Sequence, residues 1–265
     1  MMNRHRVSAG VVLVAFLMLV AGCQAPAVPS TDGPDDPDPE AVFEAAFVHA
    51  EDLEAVSGER TTVVTAGDET QAERVAVTER PYAEYRSEVL ESERADREGA
   101  LYVSNAAGSW WYDPTANTVS VYEANESYES EAVRMARADV AADRLEYYDL
   151  EYRGTETVAD REAHVLDVTA KDEAVTDGVS VLVGDTEFVY ALETVDPADE
   201  LEVTEQTVWI DAEYDYPLKE RVVSEDVDGE PYEFTERFET VIFNDVDEGT
   251  SAFDPPENAT ADDLE

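Results

Sequence analysis

The residues of this chain that could do chemistry are few in kind and lopsided in charge. Three histidines (His5, His49 and His164), one cysteine (Cys23) and 64 Asp or Glu stand beside 17 Lys or Arg in 265 residues, a formal net charge of −47. A zinc site needs several nitrogen or sulfur ligands at short spacing, and no pair of these histidines has it. A calcium loop needs alternating oxygen ligands, and no D-x-[DN]-x-[DN]-G sequence occurs. The G-x-S-x-G serine elbow and phosphate-cradling glycine loops are missing as well. Paired carboxylates can hydrolyse a glycoside, but 64 acids single out no pair. These residues support neither an enzyme nor a metal or cofactor. Nucleic acid is excluded as a partner, because so acidic a chain cannot displace counterions from phosphates.

The acids run from Asp32 to Glu265, mostly singly or in pairs between apolar residues, and only Lys171 and Lys219 are lysines. At 43% hydrophobic and 9% aromatic, the chain is too apolar to be a disordered acidic tail. Dispersed like charge opposes compaction at low ionic strength, and molar salt screens it to a Debye length of about 3 Å. The composition resembles that of proteins from extreme halophiles.

The one cysteine has a specific place. Arg4 and Arg6 precede sixteen uncharged residues, Val7 to Gly22, a run shorter than the ~20 a spanning helix needs. The run ends in Leu19-Val20-Ala21-Gly22-Cys23, which reads as a lipobox. Residues 1–22 are therefore expected to be a lipoprotein signal peptide, with Cys23 lipidated as the mature N-terminus. The mature chain would keep 15 basic and 64 acidic residues, a charge of −49, and no disulfide. Residues 23–40 hold five prolines with Asp, Gly and Ser, the composition of an extended tether. The expected location is the cell membrane, lipid-anchored and facing outward. Sequons at Asn125 and Asn258 offer glycosylation sites in an exported chain.

The elements that must position any site follow from periodicity. Glu40 to Val56 places Val42, Phe43, Ala46, Phe47, Ala50 and Leu53 at helical spacing, with Gly58 as a stop. His49 falls near the apolar border of that helix. A second helix is expected over about Ser130 to Glu146, with a weaker stripe of Val133, Met135, Ala136, Val140 and Leu145. Most other segments read as strands, ten or more in antiparallel succession, separated by turns such as Gly67-Asp68, Arg80-Pro81 and Asp228-Gly229. The class is mainly β with helices, and a meander predicts one large curved sheet. Alternation puts Trp110 and Tyr112 on one face and Trp111 on the other. It pairs Phe188 with Tyr190 and Phe234 with Phe238, sets Val241 and Phe243 opposite the latter two, and points His164 outward. Aromatics on both faces suit a sheet with a lined cavity; a two-layer sandwich with every aromatic in the core is the alternative.

Three segments in order carry a family resemblance. Gly108 to Glu123 (GSWWYDPTANTVSVYE), Tyr152 to Ala170 (YRGTETVADREAHVLDVTA) and Thr207 to Asn258, with Trp209-Ile210-Asp211 and Pro217-Leu218-Lys219 at its start, resemble the LolA-like lipoprotein-carrier family. That family includes the mycobacterial LppX type of lipid carrier. Asp160-Arg161 stands where the family usually has Gly-Arg. The resemblance covers about residues 41–257, leaving 258–265 as an acidic tail. It implies a half-open antiparallel barrel, helices covering its mouth, and a cavity that binds acyl chains without chemistry. Trp110, Tyr112, Phe188, Tyr190 and Trp209 are the candidate lining. The founding carriers are soluble shuttles, whereas Cys23 would tether this chain. The expected function is a surface-anchored, monomeric, non-catalytic binder of a lipid or other apolar ligand. The alternative is an envelope sensor acting through a membrane-protein partner, as in one branch of the family.

Overall fold

Asp38 opens helix α1 (Pro39–Val48): its carboxylate accepts a hydrogen bond from the Glu40 amide at 3.1 Å, and Pro39 brings a preset φ to the first turn. The computed structural model describes residues 36–124, 129–171, 202–225, 231–246 and 258–263, all within one compact unit. Helix α1 is shorter than expected. His49 takes a left-handed φ of 49°, closing the helix through its amide to the Ala45 carbonyl at 2.7 Å. The Ala50 amide then donates to the Tyr214 carbonyl, and Leu53 is buried among sheet residues. Gly58 stops no helix. It lies inside a strand, where a Cβ would sit 2.0 Å from the Thr240 carbonyl oxygen.

Strands β1 (Val56–Ala66), β2 (Glu69–Arg80) and β3 (Glu84–Ser92) are followed by β4 (Leu101–Asn105), β5 (Gly108–Asp113) and β6 (Thr118–Glu123). After helix α2 (Ser130–Leu145) come β7 (Tyr148–Val158), β8 (Arg161–Ala170), β9 (Glu202–Asp211), β10 (Pro217–Glu225), β11 (Pro231–Phe243) and β12 (Thr260–Asp263). All twelve join one sheet in the order β12-β6-β5-β4-β3-β2-β1-β11-β10-β9-β8-β7. Every ladder is antiparallel except β12 with β6. Among the described residues, a single unclosed sheet with two helices makes the half-open barrel, and the two-layer sandwich falls. Residues 260–263, expected to be part of an acidic tail, add the edge strand β12.

Turn chemistry sets the hairpins where expected: Gly67, with φ 56°, and Asp68 link β1 to β2. Of the bulges in the sheet, one overturns an expected facing. Thr240 pairs with Glu59 and Phe238 with Arg60, so Glu239 is an extra residue in β11. The bulge brings Val241 and Phe243 onto the side of Phe238, where they pack against the same core. The expectation that they lie opposite is corrected. The expected strand with Phe188 and Tyr190, the expected turn at Asp228-Gly229, residues 1–35 and Asn125 lie outside the described residues.

Helix α1 needs an apolar floor and finds one. Val42, Phe43, Ala46 and Phe47 are buried against Leu166, Val168, Val208 and Ile210 of β8 and β9. Each buried phenylalanine contributes about 2–3 kcal/mol of transfer free energy. Helix α2 keeps its expected bounds to within a residue but turns another face inward. Ala141 is its one buried residue, and Met135 and Val140 of the expected stripe are exposed. Arg134, Arg137, Ala141, Arg144 and Leu145 occupy the covered side instead.

Candidate functional site

The face of the sheet that carries α1 is the one that can be followed strand to strand. Leu166 pairs with Val208, Val208 with Glu220, Glu220 with Glu236, and Glu236 with Thr62. Cross-strand partners share a face, so these residues line one continuous concave surface. It has three zones.

Under α1 the surface is apolar and closed. In the middle, over β9 to β1, it is a buried polar strip. The Gln206 amide donates to Glu220 at 2.7 Å, Arg60 Nε stands 2.9 Å from Glu236, and Thr62 donates to the other Glu236 oxygen at 3.2 Å. Gln206, Glu220, Glu236 and Arg60 are all buried. Charges so far from water persist only in a satisfied network. The guanidinium of Arg60 also donates to the Tyr85 hydroxyl at 3.1 Å, joining the strip to the third zone.

The third zone, over β3 to β6, is aromatic and open. Tyr85, Tyr102 and Trp111 form a row, with ring centroids 5.9 and 5.0 Å apart. Register places Tyr122 on the same face, opposite Ser109. Trp111 is 39% and Tyr122 49% exposed, high for side chains so large.

One end of the sheet is plugged. His49 stacks on Tyr82 at 5.8 Å and tilts against Tyr216 at 5.0 Å, while its Nδ1 lies 3.3 Å from the Asp215 carbonyl. Burial, helped by the nearby Arg137, lowers the His49 pKa to about 4, so the ring is neutral. The Tyr216 hydroxyl donates to Glu79 at 2.7 Å, and burial pushes its pKa well up.

The residues singled out by sequence are placed as follows. Trp110 and Tyr112 alternate with Trp111 and project from the face away from α1, beside Val103 and Val119. Trp209 also faces away from α1, between Val208 and Ile210. It is buried; its indole donates to Glu156 at 2.8 Å and the Lys219 ammonium lies 3.7 Å above its ring. A cavity of about 320 Å³ lies nearby, with Lys219, Arg237 and Glu156 in its polar wall. His164 does not point outward: it shares the Leu166 face and meets the Tyr152 hydroxyl at 3.1 Å. Asn258 is exposed, and its carbonyl accepts from Asn117. Cys23, Phe188, Tyr190 and Asn125 lie outside the described residues. Tyr85, Tyr102 and Trp111 were missed as a group, because only the register of three hairpins assembles them. Among the described residues, no helix is long and apolar enough to cross a membrane.

No family model matches the chain, and no curated protein matches it. Solved structures similar to it include a LolA superfamily protein from Nitrosomonas europaea, 13% identical over 82% of this chain and 99% of that one, TM-score 0.35. The lipoprotein LppX of Mycobacterium tuberculosis is 12% identical over 80% and 98%, TM-score 0.39. The MucA/MucB complex of Pseudomonas aeruginosa is matched at 14% identity over 81% of this chain and 59% of that one, TM-score 0.43. These are likenesses of fold alone; the half-open single sheet with two helices stands on this chain's own strand register.

Proposed function

We propose that the chain is a membrane-anchored lipoprotein, facing outward, whose half-barrel binds a lipid or another apolar ligand without chemistry. The observation that carries this reading is the aromatic row Tyr85, Tyr102 and Trp111 on the concave face, half-buried at the two tyrosines and exposed at Trp111. An acyl chain laid along such a row would gain about 0.8 kcal/mol per buried CH₂ before ordering costs. Lipidated Cys23 would hold the domain, residues 41–257, at the membrane through the 23–40 tether, and Asn125 and Asn258 would be open to glycosylation. The net charge of −47 fits a molar-salt medium.

The test is native mass spectrometry of the protein taken from its own membrane at high salt. A mature N-terminus bearing a lipid on Cys23, with a second, non-covalent lipid mass lost on activation, supports the reading. An unmodified N-terminus and an empty protein refute it.

A second reading, a sensor working through a protein partner, is favoured by the exposed Met135, Val140 and Tyr147 on and just beyond α2. Partner capture that survives delipidation would select it.

A further inference from the structure

The plugged end of the half-barrel holds a group of side chains that the apolar reading does not use. Tyr82 sits in the β2–β3 turn with a left-handed φ of 64°, a conformation that costs a bulky residue strain. Its hydroxyl is buried and has no hydrogen-bond partner among the described residues, although buried polar groups are nearly always paired. The Arg137 guanidinium of α2 lies 6.0 Å from the centre of its ring. Arg134 lies one turn earlier on the same side of α2, and the carboxylate of Glu79, at the end of β2, already accepts from Tyr216.

The arginine side of α2 is unusual for this chain. Arg137 has no ion-pair partner among the described residues, while most of the other described arginines have a carboxylate within 4.0 Å. Arg134 has only a 3.7 Å contact to Glu131. With 64 acids available, a guanidinium that stands over the Tyr82 ring without a carboxylate of its own, with Arg134 one turn away on the same side of α2, is placed for an acceptor that the described residues do not supply.

We propose that Tyr82, Arg137 and Arg134 form a subsite for an anionic oxygen group, a carboxylate or phosphate, at the end of the half-barrel. In the fullest form of the inference this group is the headgroup of the bound amphiphile, and that part rests on the reading above. The hydroxyl donates one hydrogen bond and the guanidiniums donate charge-assisted ones. Chain and headgroup are then read by different zones of one face.

The test compares palmitate, hexadecanol and inorganic phosphate on the full chain at fixed high salt, by calorimetry. Palmitate is expected to bind about tenfold tighter than hexadecanol, the worth of one charge-assisted hydrogen bond. Arg137→Gln should erase that preference while leaving hexadecanol affinity unchanged. Tyr82→Phe should reduce the preference and raise the melting temperature, since it removes an unpaired buried hydroxyl; a purely structural tyrosine would shift the melting temperature alone. Equal binding of palmitate and hexadecanol overturns the subsite and leaves the apolar reading standing. Phosphate binding that Arg137→Gln removes, with neither lipid bound, keeps the subsite and overturns the lipid reading. No binding by any of the three overturns both.

Discussion

The two wings of the sheet are built from the same alternating strands and end up in opposite conditions. Over β7 to β9, α1 covers the concave face: Leu166, Val168, Val208 and Ile210 beneath it are buried, and Leu150 and Tyr152 of β7 are half-buried. Over β3 to β6, the same face carries Tyr85, Tyr102 and Trp111, and the row becomes more exposed toward the edge. Strand propensity does not separate the wings; coverage does. One wing spends its apolar surface on stability. The other leaves Trp111 and Tyr122 open to solvent, where the proposed ligand would lie, with the Arg60–Glu236 strip as the seam.

The sharpest way to break this comparison is to strip the covered wing. Phe43→Ala removes a fully buried ring from the α1 interface and should destabilise the protein by about 4 kcal/mol, read by denaturant titration in molar salt. A loss below about 1 kcal/mol would mean that α1 does not close that wing.

At the seam, Arg60→Met leaves Glu236 and the neighbouring Glu220 buried without the guanidinium. The expected loss is about 3 kcal/mol, and the double change Arg60→Met with Glu236→Leu should recover much of it, since an apolar pair replaces an ion pair at little net cost. Failure of the double variant to recover would show that the strip also holds the wings in register.

The plug adds a pH dependence. His49 has its pKa lowered from 6.5 to about 4 by burial. Below pH 6.5 the unfolded chain takes up a proton that the folded ring refuses until about pH 4. The contribution of His49 is therefore whole above pH 6.5 and is lost as the pH falls toward 4, about 3 kcal/mol across that window. His49→Asn keeps a polar side chain at the helix end and removes the titration. The difference between the two proteins' stability curves should follow that window; parallel curves would show that the ring is not held neutral.

Much of the covered wing was legible beforehand, and the open wing was not. The spacing of Val42, Phe43, Ala46 and Phe47 announces a helix that needs a floor, because an amphipathic stripe has one use in a small domain. Alternation also separates Trp110 from Trp111 correctly, but a period of two has no sign. Which of the two faces receives the helices depends on packing of residues far away in sequence, so the cavity lining was sought with Trp110. The Glu239 bulge defeats alternation outright, since one extra residue inverts every later side chain. Helix α2 misled for another reason: its arginines cover surface with their stems, and a hydrophobic stripe therefore points the wrong way. The spacing Arg134, Arg137, Arg144 was visible as a face of its own.

The smallest expected effect on stability falls on Trp111, whose replacement by Phe at an exposed site should cost under about 0.5 kcal/mol. It is also where the central claim is most directly open to measurement. A stearic acid brominated in mid-chain quenches tryptophan on contact, so its titration into the wild type and Trp111→Phe reports which indole the chain touches. Saturable quenching in the wild type that is largely lost in Trp111→Phe is the predicted result. Absence of quenching, or quenching that persists undiminished in the variant, would contradict a ligand lying on the open wing.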